Sequence, residues 1–151
     1  MNLKVLLLIV VFAFSCTNAS TSINNNLNIE IVRHSSDLLH CEKIFADDLQ
    51  SIEELNEVLL QTGTVDTTDE HAPIRTAIIT VDKKEILLTF EKSHSIQRET
   101  IEVYKGSGYI LTLTYEADSN NFGALIYHGK MVVENNGNQR TFIIEGKNCT
   151  L

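Results

Sequence analysis

The chain has 151 residues, 43% of them hydrophobic and 21% charged, with seven Gly, one Pro, three Cys and no Trp. This composition fits one globular domain and excludes a solenoid array, a collagen-like repeat, a disordered tail and a disulfide-dense miniprotein. Twelve Lys and Arg against twenty Asp and Glu leave a formal charge of −8, with Lys83-Lys84 as the densest basic run, which argues against nucleic acid or anionic lipid headgroups as partners of a basic patch.

The first element in chain order is an export signal. Met1-Asn2-Leu3-Lys4 carries one positive side chain, and residues 5–14 are wholly apolar. A run of this length falls short of the roughly 20 residues that a bilayer crossing needs, so it reads as a signal peptide over residues 1–15. Ala13-Phe14-Ser15-Cys16 resembles the lipobox of bacterial lipoproteins, in which a small residue precedes a Cys that is lipidated before cleavage. The resemblance implies a lipid on Cys16, and with it a membrane-anchored protein of the cell envelope. The alternative is cleavage by an ordinary signal peptidase after Ser15 or Ala19, giving a soluble periplasmic or secreted protein.

Cysteine parity points the same way as the lipobox. Lipidating Cys16 leaves Cys41 and Cys149, an even pair that an oxidising compartment would join. Residues 16–28 are rich in Ser, Thr and Asn and read as a polar tether, followed by one α+β domain over residues 29–151.

Within that domain, Leu27-Asn28-Ile29-Glu30-Ile31 alternates as a short strand does. Ile44, Phe45, Leu49, Ile52, Leu55 and Leu59 then recur at three- and four-residue steps. They predict a helix that starts at Ser51, with a Ser51/Glu54 capping box, or runs from Glu42, and that stops near Gly63. Residues 62–73 form a polar loop holding Asp66, Asp69, Glu70 and His71, whose spacing lacks a calcium-loop pattern. From Ile74 the period changes to two, with turns at Asp82-Lys83-Lys84, Gly106-Ser107-Gly108, His128-Gly129 and Asn135-Asn136-Gly137-Asn138. The expected fold is an N-terminal helix packed on a six- to seven-stranded antiparallel meander, which strong twist would curl into a half-barrel.

Candidate chemistry is sparse. The five histidines His34, His40, His71, His94 and His128 have no zinc spacing, and no phosphate loop, dinucleotide fingerprint or nucleophile elbow is present, so no metal, no cofactor and no turnover are expected. Glu99 and Glu102 fall on opposite faces of one strand and cannot work as an acid–base pair. Tyr104 and Tyr127 fall out of phase with Val103 and Ile126 and are expected to be exposed, as partner-binding residues; Tyr109 and Tyr115 continue an apolar phase and are expected in the core or its rim. The expected function is that of a non-enzymatic envelope lipoprotein binding a protein or glycan. A small-ligand carrier is one alternative. The other is a lysozyme-type inhibitor, because Gly123-Ala124-Leu125-Ile126-Tyr127 with Glu145-Gly146 near the C-terminus resembles the end of the membrane-bound inhibitors of C-type lysozyme.

Overall fold

The computed structural model describes residues 27–33, 40–65, 72–119 and 123–149. These form eleven strands: β1 (Ile29–Glu30), β2 (Val32–Arg33), β3 (His40–Ala46), β4 (Glu57–Val58), β5 (Leu60–Val65), β6 (Ile74–Val81), β7 (Lys84–Ile96), β8 (Glu99–Gly106), β9 (Tyr109–Ser119), β10 (Leu125–Asn135) and β11 (Asn138–Asn148). Eight of them, β3 and β5 to β11, pair antiparallel in the order β6-β5-β3-β11-β10-β9-β8-β7, and β6 also pairs β7, so the sheet closes into a barrel. Seven pairings follow chain order and the eighth, β11 with β3, is the closing seam.

This overturns the α+β expectation. The only helical element among the described residues is the single turn Ser51–Leu55, and its first amide is held by the Asp48 carboxylate, Ser51 N–H donating to Asp48 Oδ1 at 2.7 Å. The expected Ser51/Glu54 box is not what starts it. The three- and four-residue spacing misled because β3 is buried on both faces, so that consecutive apolar residues fit a helix as well as a strand. Phe45 points into the barrel, while Ile44 and Ala46 point outward into a second cluster with Ile52, Val58, Val32, Leu49, Cys41 and Cys149. Gly63 lies inside β5, where a Cβ would meet His40 O at 2.2 Å, and ends no helix.

The barrel has two unlike ends. At the turn end lie the two-residue turns Asp82–Lys83, Ser107–Gly108 and Asn136–Gly137, all at positive φ, which Gly and Asn adopt at least cost. Here β1 pairs the last residues of β6, Asp82 N–H donates to Asn28 O at 3.2 Å, and Leu27 packs against the interior. Arg140 reaches across from β11, its Nη1 donating to Leu27 O at 3.1 Å while its guanidinium lies 4.6 Å from the Phe142 ring centroid. At the loop end, Cys41 at the start of β3 is bridged to Cys149 just past β11, with Cα atoms 5.8 Å apart, so the expected disulfide clamps the seam.

The interior is a packed core of alternate residues. Leu60, Ile79, Leu88, Leu111, Leu113, Met131, Val133 and Ile144 are all essentially inaccessible. Glycine makes room where a ring needs it: a Cβ on Gly146 would meet the Phe45 ring at 2.4 Å.

A buried carboxylate network as candidate functional site

The inner face of the barrel near the loop end is polar, and register puts it there. The turn Ser107–Gly108 pairs Gly106 with Tyr109, which sets Tyr104 opposite Leu111, Glu102 opposite Leu113 and Thr100 opposite Tyr115. Directly opposed residues share a face of the sheet. Because Leu111, Leu113 and Tyr115 face the core, Glu102 and Tyr104 are carried inside with them.

Glu102 is 3% exposed and sits at the centre of a network. Arg75 Nη2 donates to its Oε1 at 2.9 Å, Tyr115 O–H to the same oxygen at 3.2 Å and Tyr104 O–H to Oε2 at 2.8 Å, with Lys43 Nζ 3.6 Å from Oε1. Arg75 is fixed in turn, lying 4.4 Å from the Phe90 ring centroid with Nε 3.9 Å from Glu42 Oε2. Lys43 lies 5.3 Å from the Tyr115 centroid. Tyr127 O–H donates to Asn148 Oδ1 at 2.6 Å, and the rings of Tyr115, Tyr127 and Phe45 pack at tilted to edge-to-face angles, 5.2 to 5.9 Å between centroids.

The electrostatics follow from burial and pairing. Burial alone would raise the Glu102 pKa, but Lys43, Arg75 and Tyr104 together hold it below the ordinary carboxylate value. Burial first, then the charge of Glu102, pushes the Tyr104 and Tyr115 phenols well above their ordinary value and raises Tyr127 in the same direction. Arg75 loses by burial and gains more from Glu102, so it too is raised. The arrangement locks a charged carboxylate between two cations and two phenols, with each of its oxygens accepting hydrogen bonds.

Tyr104 and Tyr127 are therefore not the exposed pair that the phase of their neighbours predicts: they are 0% and 5% exposed. Both were misread through register. Ile101 and Val103 form the outward row of β8 rather than its core row. In β10 no turn interrupts the chain at His128-Gly129, so Tyr127 shares the inward phase of Met131 and Val133. Tyr115 is buried and Tyr109 packs against the core, as expected. Glu99 and Glu102 lie on opposite faces, Glu99 outside and Glu102 inside. Cys41 is bridged, so His40 has no thiol to activate. Cys16, His34 and the group Asp66, Asp69, Glu70 and His71 lie outside the described residues.

Outside the barrel, Glu99, Glu116, His128 and Glu145 lie in register across β8, β9, β10 and β11, beside a shallow groove of about 330 Å³. His128 Nδ1 is 3.3 Å from Glu145 Oε1. Among the described residues no three His, Cys, Asp or Glu side chains gather closely enough to hold a metal ion.

The network itself was visible as two charged residues on core phases. Arg75 precedes Ala77, Ile79 and Val81 at steps of two, and Lys43 precedes Phe45 by two. A charged side chain in line with a core row is a request for a buried partner. Comparison with family models, with curated proteins and with solved structures finds no match to this chain.

Proposed function

We propose that the protein is a non-enzymatic binding protein of the cell envelope, anchored by a lipid on Cys16, that meets its partner at the loop end of the barrel. The observation that carries this reading is the contrast between its two ends. The chain enters the barrel at the turn end, where Leu27, Asn28 and Arg140 cover the interior, so a tether from Cys16 would leave the loop end facing away from the membrane. That far rim presents Ile74, Ile96 and Leu125, each exposed, and the partly exposed Arg75. The interior rows are filled by large side chains, which favours a partner on the rim over a small molecule carried inside. The hydrogen bonds on both oxygens of Glu102 favour binding over turnover, because a base at work needs a free oxygen. The disulfide supports an oxidising compartment.

Fractionation tests the anchor. Cys16→Ser should block lipidation and processing, leaving a precursor that still carries residues 1–15; a processed variant together with a soluble wild type would make it an ordinary secreted protein. The rim is tested by capture from envelope extract, which Ile96→Asp with Leu125→Asp should abolish without changing the thermal midpoint.

A further inference from the structure

Among the described residues, two of the strand edges left without a partner in the barrel wall lie in β7 and β11. Beyond Thr89, β7 leaves β6, and residues 92–96 pair with β8 alone. This edge is protected: the register shifts between Phe90 and Lys92, which displaces Glu91 in a bulge, and Lys92 follows it. Bulges and edge charges are how natural sheets prevent a further strand from adding.

The other edge has no such protection. β11 pairs β10 from Asn138 to Lys147 but pairs β3 only from Glu145 to Asn148. Asn135 and Asn138 flank the two-residue turn and so bond to each other. Alternation along β11 then directs the N–H and C=O of Gln139, Thr141 and Ile143 away from β10. The same parity is visible farther along, where Cys149 N–H donates to Glu42 O on the β3 side at 3.1 Å. Among the described residues nothing bonds to the outer side of Gln139, Thr141 or Ile143. The stretch has no bulge and no proline, its one charge is Arg140, and Ile143 is 74% exposed.

We infer that this edge is a self-association surface, on which a second copy of the chain adds its own β11 antiparallel about a two-fold axis. Register selects the arrangement. With the axis at Thr141, Thr141 faces Thr141 of the second copy and Gln139 faces its Ile143, so every free N–H and C=O of the three residues finds a partner. Arg140 then faces Phe142 of the second copy, repeating across the axis the stacking it already makes on its own Phe142. Moving the axis one residue toward the turn would oppose Arg140 with itself, a like-charge pair that sheets disfavour. Moving it one residue the other way would set Gln139 against Glu145, whose backbone faces β3. Each chain carries a net charge of −8, so the two copies repel at long range and association should strengthen as salt screens them.

The test is sedimentation of the purified protein across concentration and salt, together with oxidation of Thr141→Cys. The expected result is a concentration-dependent dimer, favoured by salt. Thr141→Cys should cross-link rapidly through its own counterpart, well above the level that wild type shows. Thr141→Pro removes an N–H that has no acceptor among the described residues, so the monomer should fold as before while dimer affinity falls by about tenfold or more. Ile143→Lys should weaken it in the same sense without touching the backbone. A wild type that stays monomeric overturns the inference, as does a dimer indifferent to both substitutions or a Thr141→Cys that cross-links no faster than wild type. A monomer whose Gln139, Thr141 and Ile143 amides are protected from hydrogen exchange also overturns it, since another segment of the same chain would then cover the edge.

Discussion

The two halves of the barrel are made from the same strands yet obey different physics. Toward the turn end the inner rows are Ile79, Val81, Leu88, Leu111, Val133 and Ile144, which contribute by leaving water and by close packing. Toward the loop end the inner rows hold Lys43, Arg75, Glu102, Tyr104, Tyr115 and Tyr127, which contribute only while each polar group keeps its partner. The apolar half degrades gradually as it loses volume, whereas removing one member of the network leaves the others buried and unpaired.

The largest expected effect lies at the loop end. Replacing Cys41 and Cys149 together by Ala opens a loop with a sequence separation of 108 residues. Its closure is worth about 4–5 kcal/mol in the chain-entropy model, read as a fall in the denaturation midpoint that a reductant should reproduce in wild type. Glu102→Ala comes next, at about 3–5 kcal/mol, because it strands Arg75 and Lys43 together with two phenols. Leu111→Ala, its counterpart in the apolar half, should cost about 2–5 kcal/mol. The comparison breaks if Glu102→Ala proves harmless while Leu111→Ala does not.

Dependence on pH separates the halves more cleanly. The Glu102 pKa is lowered in the folded protein, so its contribution is complete above the ordinary carboxylate value and fades as pH falls through the lowered folded value. Tyr104, Tyr115 and Tyr127 are raised, so their contribution is complete below about pH 10, the unfolded tyrosine value, and fades as pH rises beyond it. The thermal midpoint should therefore fall on both sides, with the phenolate absorbance of these three tyrosines appearing only on unfolding. Leu111→Ala should lower the whole profile without moving either limb, while Glu102→Gln should flatten the acid limb. The smallest effect belongs to Tyr127→Phe, which removes one hydrogen bond to Asn148 and should cost about 1 kcal/mol.

How much of this could be read from the chain depends on the turns. Period two from Ile74 onward, the turn at Ser107–Gly108 and the hairpin at Asn136–Gly137 are all explicit in the residues, whereas the turn expected at His128-Gly129 is absent and β10 runs through it as one strand. The phase of β8 was legible too, since a two-residue turn at Ser107–Gly108 must set Tyr104 against Leu111. It was missed because Ile101 and Val103, judged alone, look like the core row. β1 falls within the short strand expected over Leu27–Ile31, but β3, β4 and β5 were not legible from pattern. Cys41, Ile44 and Ala46 are covered from outside by the turn around Ile52 and by the small sheet of β2 and β4, and no local spacing announces a second covering layer. The closing seam of β11 with β3 spans nearly the whole domain, and cysteine parity was the one sequence feature that hinted at it.

The position of the disulfide decides how the molecule would respond to mechanical force. A pull on the N-terminal side first loads β1 and β2, each two residues long and easily peeled from their neighbours. It would next reach Cys41 at the head of β3, and there the load crosses the covalent bridge to Cys149 at the far end of β11. The strands from β3 to β11 lie inside that closed loop, so a pull applied between the two termini would give up a few residues of slack while the barrel stays shut.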